Sequence, residues 1–278
     1  PVQTDKTWPE QIHRIFASSL GLLMIGLLFF SIKNRKNKNQ PVKLPAFMLC
    51  FVILQGLFGM WTVTLLLWPQ VVTAHLLGGF TTLSLLCLLV QRLGGFVWVF
   101  KKESWQKVVR LRGLALAGLL VVIMQIALGG WTTSNYAALA CPDLPTCHNE
   151  WLPAMDFSAG FNVFQHIGPN YLGGQLDNTA RIAIHFAHRV GAVVVTLVLL
   201  SLIALLWRTG IVECRRMAVV VLLVLCMQLL LGISNVLLGL PLMVAVSHNA
   251  VGALLLLVMV TLTHRLLTAQ CSLSADKN

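Results

Sequence analysis

The sequence predicts an all-α polytopic membrane protein made of two pseudo-symmetric four-helix bundles. Three observations carry that expectation. The first is composition: 57% of the residues are hydrophobic and 10% are charged, with a mean hydropathy of +0.82, whereas soluble domains carry roughly 25% charged residues. The second is a charge pattern in which Lys and Arg occupy alternate loops. The third is an internal repeat that keeps a histidine on each of two helices per copy.

A spanning helix needs about 20 apolar residues. Runs of that kind fall at about 15–32, 45–67, 72–91, 113–131, 189–207, 217–238 and 243–263, seven in all. The first closes on the basic cluster Lys33, Arg35, Lys36, Lys38 and Lys43. After the third, Arg92, Lys101, Lys102, Lys107, Arg110 and Arg112 form a second cluster that leads into the fourth run. The loop from 132 to 180 holds no Lys or Arg. Arg208, Arg215 and Arg216 lie between the fifth and sixth runs. The last two runs are joined by a tight turn at Gly239-Leu-Pro-Leu, and Arg265 follows the seventh.

Basic residues gather on the cytoplasmic side of membrane proteins. This pattern therefore puts the N-terminal end and the 132–180 loop outside and the C-terminus in the cytoplasm. The net charge of +11 is accounted for by topology, which argues against a nucleic-acid partner. Cys50, Cys87 and Cys226 fall inside helices, and Cys214 and Cys271 on the cytoplasmic side. Cys141 and Cys147 lie in the outer loop, where a disulfide persists. His148 follows Cys147, but covalent c-type haem attachment needs two residues between the cysteines, not five.

The repeat reads Glu10-Gln-Ile-His13-Arg14, Gln55-Gly-Leu-Phe-Gly59 and Ala74-His75-Leu-Leu-Gly78-Gly79 in the first copy. The second reads His185-Phe-Ala-His188-Arg189, Gln228-Leu-Leu-Leu-Gly232 and Ser247-His248-Asn-Ala-Val-Gly252. Gly59 to His75 and Gly232 to His248 are both 16 residues, and the copies are offset by 175 at the first histidine and 173 at the second. Gln125-Ile-Ala-Leu-Gly129 carries the same signature 63 residues before His188. The equivalent of that helix before His13 would precede Pro1. The expectation is an eight-helix protein of which seven helices are present. Residues 1–112 then form a first bundle lacking its leading helix, and residues 113–278 a second bundle with the long outer loop.

Four histidines at matched depth, two per copy, form two paired-imidazole sites, and the natural occupant of such a site in a membrane is haem iron. His13 and His75 suit one haem, His188 and His248 the other. Gly78, Gly79 and Gly252 suit the close approach of a flat macrocycle, although small residues serve plain helix packing as well. Arg14 and Arg189 suit haem propionates. Glu10 occupies the position that His185 takes in the other copy. An acid beside a haem site marks a proton acceptor, and its alternative is a helix-capping role. His185 reads as an interfacial hydrogen-bonding residue. His148, His166 and His264 lack repeat partners, and the Gln–Gly pairs read as interhelix contacts.

These residues resemble the heme A synthase family of bacterial and mitochondrial inner membranes. The resemblance rests on Glu10-x-x-His13-Arg14, Thr73-Ala74-His75, His188-Arg189, Ser247-His248-Asn249, Cys141-Pro-Asp-Leu-Pro-Thr-Cys147, Pro153-x-Met-Asp156-Phe and Leu176-Asp-Asn-x-Ala-Arg181, and it covers essentially the whole chain. It implies an oxidoreductase acting on a CH group, which oxidises a methyl group of haem O to the formyl group of haem A. It further implies haem b as cofactor on His188 and His248, substrate haem on His13 and His75, and an essential Glu10. Two bound imidazoles leave iron no open position for oxygen, which favours electron removal followed by attack of water. Candidate partners are haem O, a haem O synthase (protohaem farnesyltransferase), terminal-oxidase assembly, membrane lipid and further copies of the chain. The readings this must displace are a di-haem electron-transfer cytochrome b and a haem transporter.

Overall fold

The computed structural model describes residues 4–37 and 40–272; Lys38 of the first basic cluster lies outside them. In chain order the elements are α1 (Thr4–Lys33), α2 (Lys43–Thr64), α3 (Pro69–Leu93), β1 (Val99–Phe100), α4 (Lys102–Arg110), α5 (Arg112–Ser134), α6 (Phe157–Gly160), α7 (Asn178–Arg208), α8 (Val212–Leu237), α9 (Leu242–Thr268) and β2 (Gln270–Cys271). Among the described residues seven helical spans are long and apolar enough to cross a membrane, α4 and α5 counting as one. They match the seven apolar runs, and the all-α polytopic expectation is borne out.

Every helix starts at or before its apolar run, and all but α2 and α8 also end past it; within the runs, backbone surrounded by lipid has no water to satisfy it and remains helical. The largest extensions are in α1, which begins at Thr4 rather than near 15, and in α7, which begins at Asn178 rather than near 189. The turns between helices are cut by local chemistry. Pro69 sits in the first turn of α3, where its missing N–H is not needed. Gly239 adopts φ +68° between α8 and α9, a left-handed conformation that suits glycine, and Pro241 then leads into α9.

Helices α5, α7, α8 and α9 close into a ring in which each packs on the next and α9 returns to α5. Helix α3 packs against α5 and α9, α2 against α3, and α1 against α2, so these three lie as an open layer on one side of the ring. The ring interior is dry: Leu199, Leu202, Leu206, Val221, Met259, Leu262 and Leu266 are all fully buried. Gly118 on α5 makes room for it, since a Cβ there would lie 2.9 Å from Met259 Cε and 3.2 Å from Leu199 Cδ2. The open layer has a smaller core of Met24, Met48 and Leu89. Ile15, Phe16, Leu22, Leu23, Phe29 and Phe30 of α1 are exposed, as expected of side chains that meet lipid.

The 135–177 loop lies over the ends of the spans. Asp156 caps α6 by accepting from the Ala159 amide at 2.9 Å. The loop also reaches the α2–α3 turn: Trp68 Nε1 donates to the Gln165 carbonyl (3.2 Å), Gln70 Nε2 to the Val163 carbonyl (2.9 Å) and the Tyr171 amide to the Leu66 carbonyl (3.0 Å). It therefore ties the ring to the start of α3, the helix that carries His75.

Candidate functional site: two pairs of imidazoles

His13, His75, His188 and His248 stand roughly two to three turns inside their helices, about 9–15 Å from the first residue at 1.5 Å per residue. In both sets the histidine-bearing helices are not packing neighbours. Helices α1 and α3 are separated by α2, and α7 and α9 face each other across the diagonal of the ring. A slot is left that only side chains bridge. His13 and His75 meet there with ring centroids 6.1 Å apart and planes at 88°. A metal–imidazole bond of about 2 Å on each side, with the nitrogen about 1 Å from its ring centre, puts the centroids of an axial pair about 6 Å apart. In the other slot, His188 and His248 lie close enough to interact electrostatically.

One reciprocal contact occurs three times and explains how the imidazoles are held. Gly59, Gly129 and Gly232 each face a histidine: a Cβ would lie 3.2 Å from His75 Cε1, 3.3 Å from His188 Cε1 and 3.1 Å from His248 Cε1 respectively. Four residues earlier on those helices stand Gln55, Gln125 and Gln228, and they fill the gaps left by Gly78, Gly191 and Gly252 on the histidine helices. Gln125 Nε2 donates to the His188 carbonyl at 2.9 Å and contacts His188 Nδ1 at 3.1 Å. Gln228 Nε2 lies 3.3 Å from His248 Nε2. The glutamines thus make interhelix contacts, as their sequence pattern predicts.

Gly78 makes room for the Gln55 amide, and a Cβ at Gly252 would stand 3.3 Å from Gln228 Nε2, so both serve the helix packing that the sequence offers beside close approach of a macrocycle. A lone Cα leaves a notch that the adjacent helix's nearest long polar side chain fills. Only Gly79, with nothing within 4 Å of a Cβ position, remains open.

The residues fit haem. His75 Nδ1 and His248 Nδ1, together with the Oε1 atoms of Gln55, Gln125 and Gln228, are buried without a hydrogen-bond partner. Polar atoms are rarely left so, and these five cluster at the repeated positions. Among the described residues no three His, Cys, Asp or Glu side chains converge as a metal site; the imidazoles come in twos, as axial haem ligation requires.

The outer loop is clamped to the turn that carries His188. Cys141 and Cys147 are joined as a disulfide, with Cα atoms 4.7 Å apart. Arg189 donates from Nη1 to the carbonyls of Asp143 (2.9 Å) and Thr146 (2.8 Å) and from Nη2 to that of Cys141 (2.7 Å). Its Nε lies 3.3 Å from His185 Nε2, and the Cys141 amide donates to His185 Nδ1 at 3.2 Å. His185, only 4% exposed, is thus the hydrogen-bonding residue its sequence position implies. Most of the Arg189 fork is committed to the loop, which adjacency to His188 does not reveal. The Thr146 hydroxyl, then the Asn149 and His148 amides, hold the Asp143 carboxyl down at about 2 and fix the loop's shape.

On the other copy Glu10 and Arg14 pair with each other, Nη2 to Oε1 at 2.6 Å on the exposed face of α1. An i,i+4 pair of this kind contributes about 0.3–0.5 kcal/mol. His148 contacts the Ala140 carbonyl (2.9 Å) and the His166 carbonyl accepts from Tyr171 Oη (2.6 Å). Both stay in the outer loop, and His264 lies at the opposite end of α9.

Fold and site together define a class: a multi-pass helical membrane protein that carries two paired-imidazole centres. The family model described as "COX15-CtaA: Cytochrome oxidase assembly protein" matches residues 2–260. The chain is 44% identical over 263 residues to a protein named "Heme A synthase" from Shewanella oneidensis, covering 95% of this chain and 77% of that one. Proteins of the same name from Allorhizobium ampelinum (32% over 270 residues; 92% and 68% covered) and Sphingopyxis alaskensis (27% over 265 residues; 92% and 69%) are also similar. The chain belongs to the COX15-CtaA family.

Proposed function

We propose that this chain is a haem A synthase, an oxidoreductase that converts a methyl group of haem O into the formyl group of haem A within the membrane. The balance is methyl plus one water giving formyl, four protons and four electrons, so the protein must bind the substrate, accept protons and pass electrons on. The observation that carries the reading is the meeting of His13 and His75 at 6.1 Å across a slot between non-neighbouring helices, repeated in register by His188 and His248.

In this reading residues 1–112 hold the substrate haem between His13 and His75, and residues 113–278 hold haem b between His188 and His248. Haem b, when bound by two imidazoles, supplies one-electron transfer. His13 and His75 orient the substrate, with Gly79 as the open face toward the macrocycle. Glu10, about one turn before His13 on α1, takes up protons released at the substrate, and Arg14 keeps its carboxylate in place. Arg189 and the disulfide loop hold the His188 turn and cover the outer end of the haem b slot, which keeps bulk water off it. The histidine ends of the spans face the periplasm and the C-terminus the cytoplasm, in keeping with the charge pattern. Supply of haem O by a haem O synthase and transfer of haem A to oxidase assembly are the handovers the reading implies.

The experiment is Glu10→Gln in the full-length protein. Glutamine keeps the size of the side chain and removes its proton affinity. Membranes containing haem O should yield haem A with the native protein and little with the variant, while the variant's own haem content stays unchanged. Wild-type product yield would remove Glu10 from the chemistry. Absence of haem A with the native protein would leave a di-haem electron carrier.

A further inference from the structure

At the end of the spans remote from the paired imidazoles, α3 and α9 are tied together within about two turns of where they stop. Gln91 donates from Nε2 to the Thr261 hydroxyl (3.3 Å) and the Cys87 sulfur (3.5 Å), and that sulfur meets the Thr261 hydroxyl (3.6 Å). The contact sets the following turns side by side. The next residue on α3 is Arg92, and the next turn of α9 presents His264 and Arg265. Both arginines act electrostatically on His264, so three basic groups converge on one spot.

The surroundings are rigid. The Arg265 guanidinium lies 6.0 Å from the Phe96 ring centre and 5.8 Å from that of Trp98, a cation–π arrangement. The 96–100 segment is held by pairing of Val99 with Gln270 and Phe100 with Cys271. Arg112 Nε donates to the Leu266 carbonyl (2.9 Å) and Trp105 Nε1 to that of Ala269 (3.0 Å), which fixes the end of α9.

Nothing in the described chain neutralises this cluster. The one ion pair among the described residues is Arg14–Glu10, at the other end. His264 Nδ1 and Arg265 Nε are buried with no hydrogen-bond partner. The positive-inside tendency explains basic residues at this end of the helices, but it does not explain buried nitrogens left without a partner. A multi-oxygen anion would neutralise the cluster, and basic pockets between membrane helices on this side suit phospholipid headgroups. Exposed Leu93, Phe96 and Val97 border the cluster with the apolar surface that acyl chains need. We propose that Arg92, His264 and Arg265 form a binding site for the phosphate headgroup of an anionic phospholipid.

The test is native mass spectrometry of the full chain, delipidated in detergent and titrated with phosphatidylglycerol or phosphatidylcholine. The wild-type protein should retain one phosphatidylglycerol with at least about tenfold preference over phosphatidylcholine, a difference of roughly 1.4 kcal/mol. The exposed Arg92→Gln should lose most of that preference, Arg92→Gln/His264→Gln all of it, and Lys36→Gln, in another basic loop, none. Arg265→Lys, which keeps the charge, should bind with an intermediate preference. Far-UV circular dichroism checks that each variant is folded. Equal preference in wild type and the double variant, or no preference in wild type, would overturn the site. Displacement of the lipid by millimolar inorganic phosphate would identify a free-anion site and overturn the lipid assignment.

Discussion

Replacing Gly191 by Ala puts a methyl group where the Gln125 amide oxygen lies, with Leu128 Cδ1 next at 3.1 Å. The amide has to rotate away, which removes its hydrogen bond to the His188 carbonyl (2.9 Å) and its contact with His188 Nδ1 (3.1 Å). Each is worth about 1 kcal/mol net, and a buried group left unpaired adds about 1–3 kcal/mol. The greater helix propensity of Ala offsets about 1 kcal/mol of this. The expected loss is about 2–4 kcal/mol, or roughly 5–15 °C in Tm for a chain of this size. Thermal unfolding of the detergent-purified protein, followed by tryptophan fluorescence, reads it. In a Gln125→Ala background the methyl meets only the flexible end of Leu128, so the same Gly191→Ala change should there cost no more than about 0.5 kcal/mol. At the equivalent Gly252 a Cβ would sit 3.3 Å from Gln228 Nε2, an approach the flexible amide can relieve, so Gly252→Ala should shift Tm far less. Equal losses with and without Gln125 would refute the reciprocal clasp as the device that holds His188.

Replacing His188 or His248 by Ala should abolish the low-spin ferrous haem spectrum of the purified protein while leaving its helical content intact; an unchanged spectrum in both variants would disprove the haem b assignment. Mass spectrometry of unreduced peptides should recover Cys141 and Cys147 in one linked fragment, and free thiols at both positions in protein from an oxidising compartment would contradict the loop geometry. The Asp143 carboxyl, held down at about 2, contributes stability that is present above its unfolded value of about 3.9 and lost as pH falls toward 2. Pepsin cleavage around Leu144 should therefore rise between about pH 4 and pH 2, and an Asp143→Asn variant should be cut equally at both.

Much of the fold and of the imidazole pairing was legible in the chain itself. A run of about 20 apolar residues becomes a spanning helix whatever its neighbours are, because lipid leaves the backbone no other way to satisfy its hydrogen bonds. All seven spans follow from that. The pairing of His13 with His75 followed from a repeat in register, which a string of residues records directly. Three features came only from the tertiary structure. The start of α7 at Asn178 was hidden because Asn178, Thr179, Arg181 and His185 interrupt the apolar residues before His188; Ala180, Ile182, Ala183 and Ile184 are buried there. The occupant of Gly78 and Gly252 was hidden because a notch on one helix says nothing about which side chain of the next helix stands opposite. The contact of Arg189 with the outer loop was hidden because the sequence shows only its place beside His188. Adjacent residues on a helix point about 100° apart, and its guanidinium meets the carbonyls of the disulfide loop. Periodicity and spacing act along one helix and are written in its sequence, whereas the direction in which a side chain finds its partner is set by helices far apart in the chain.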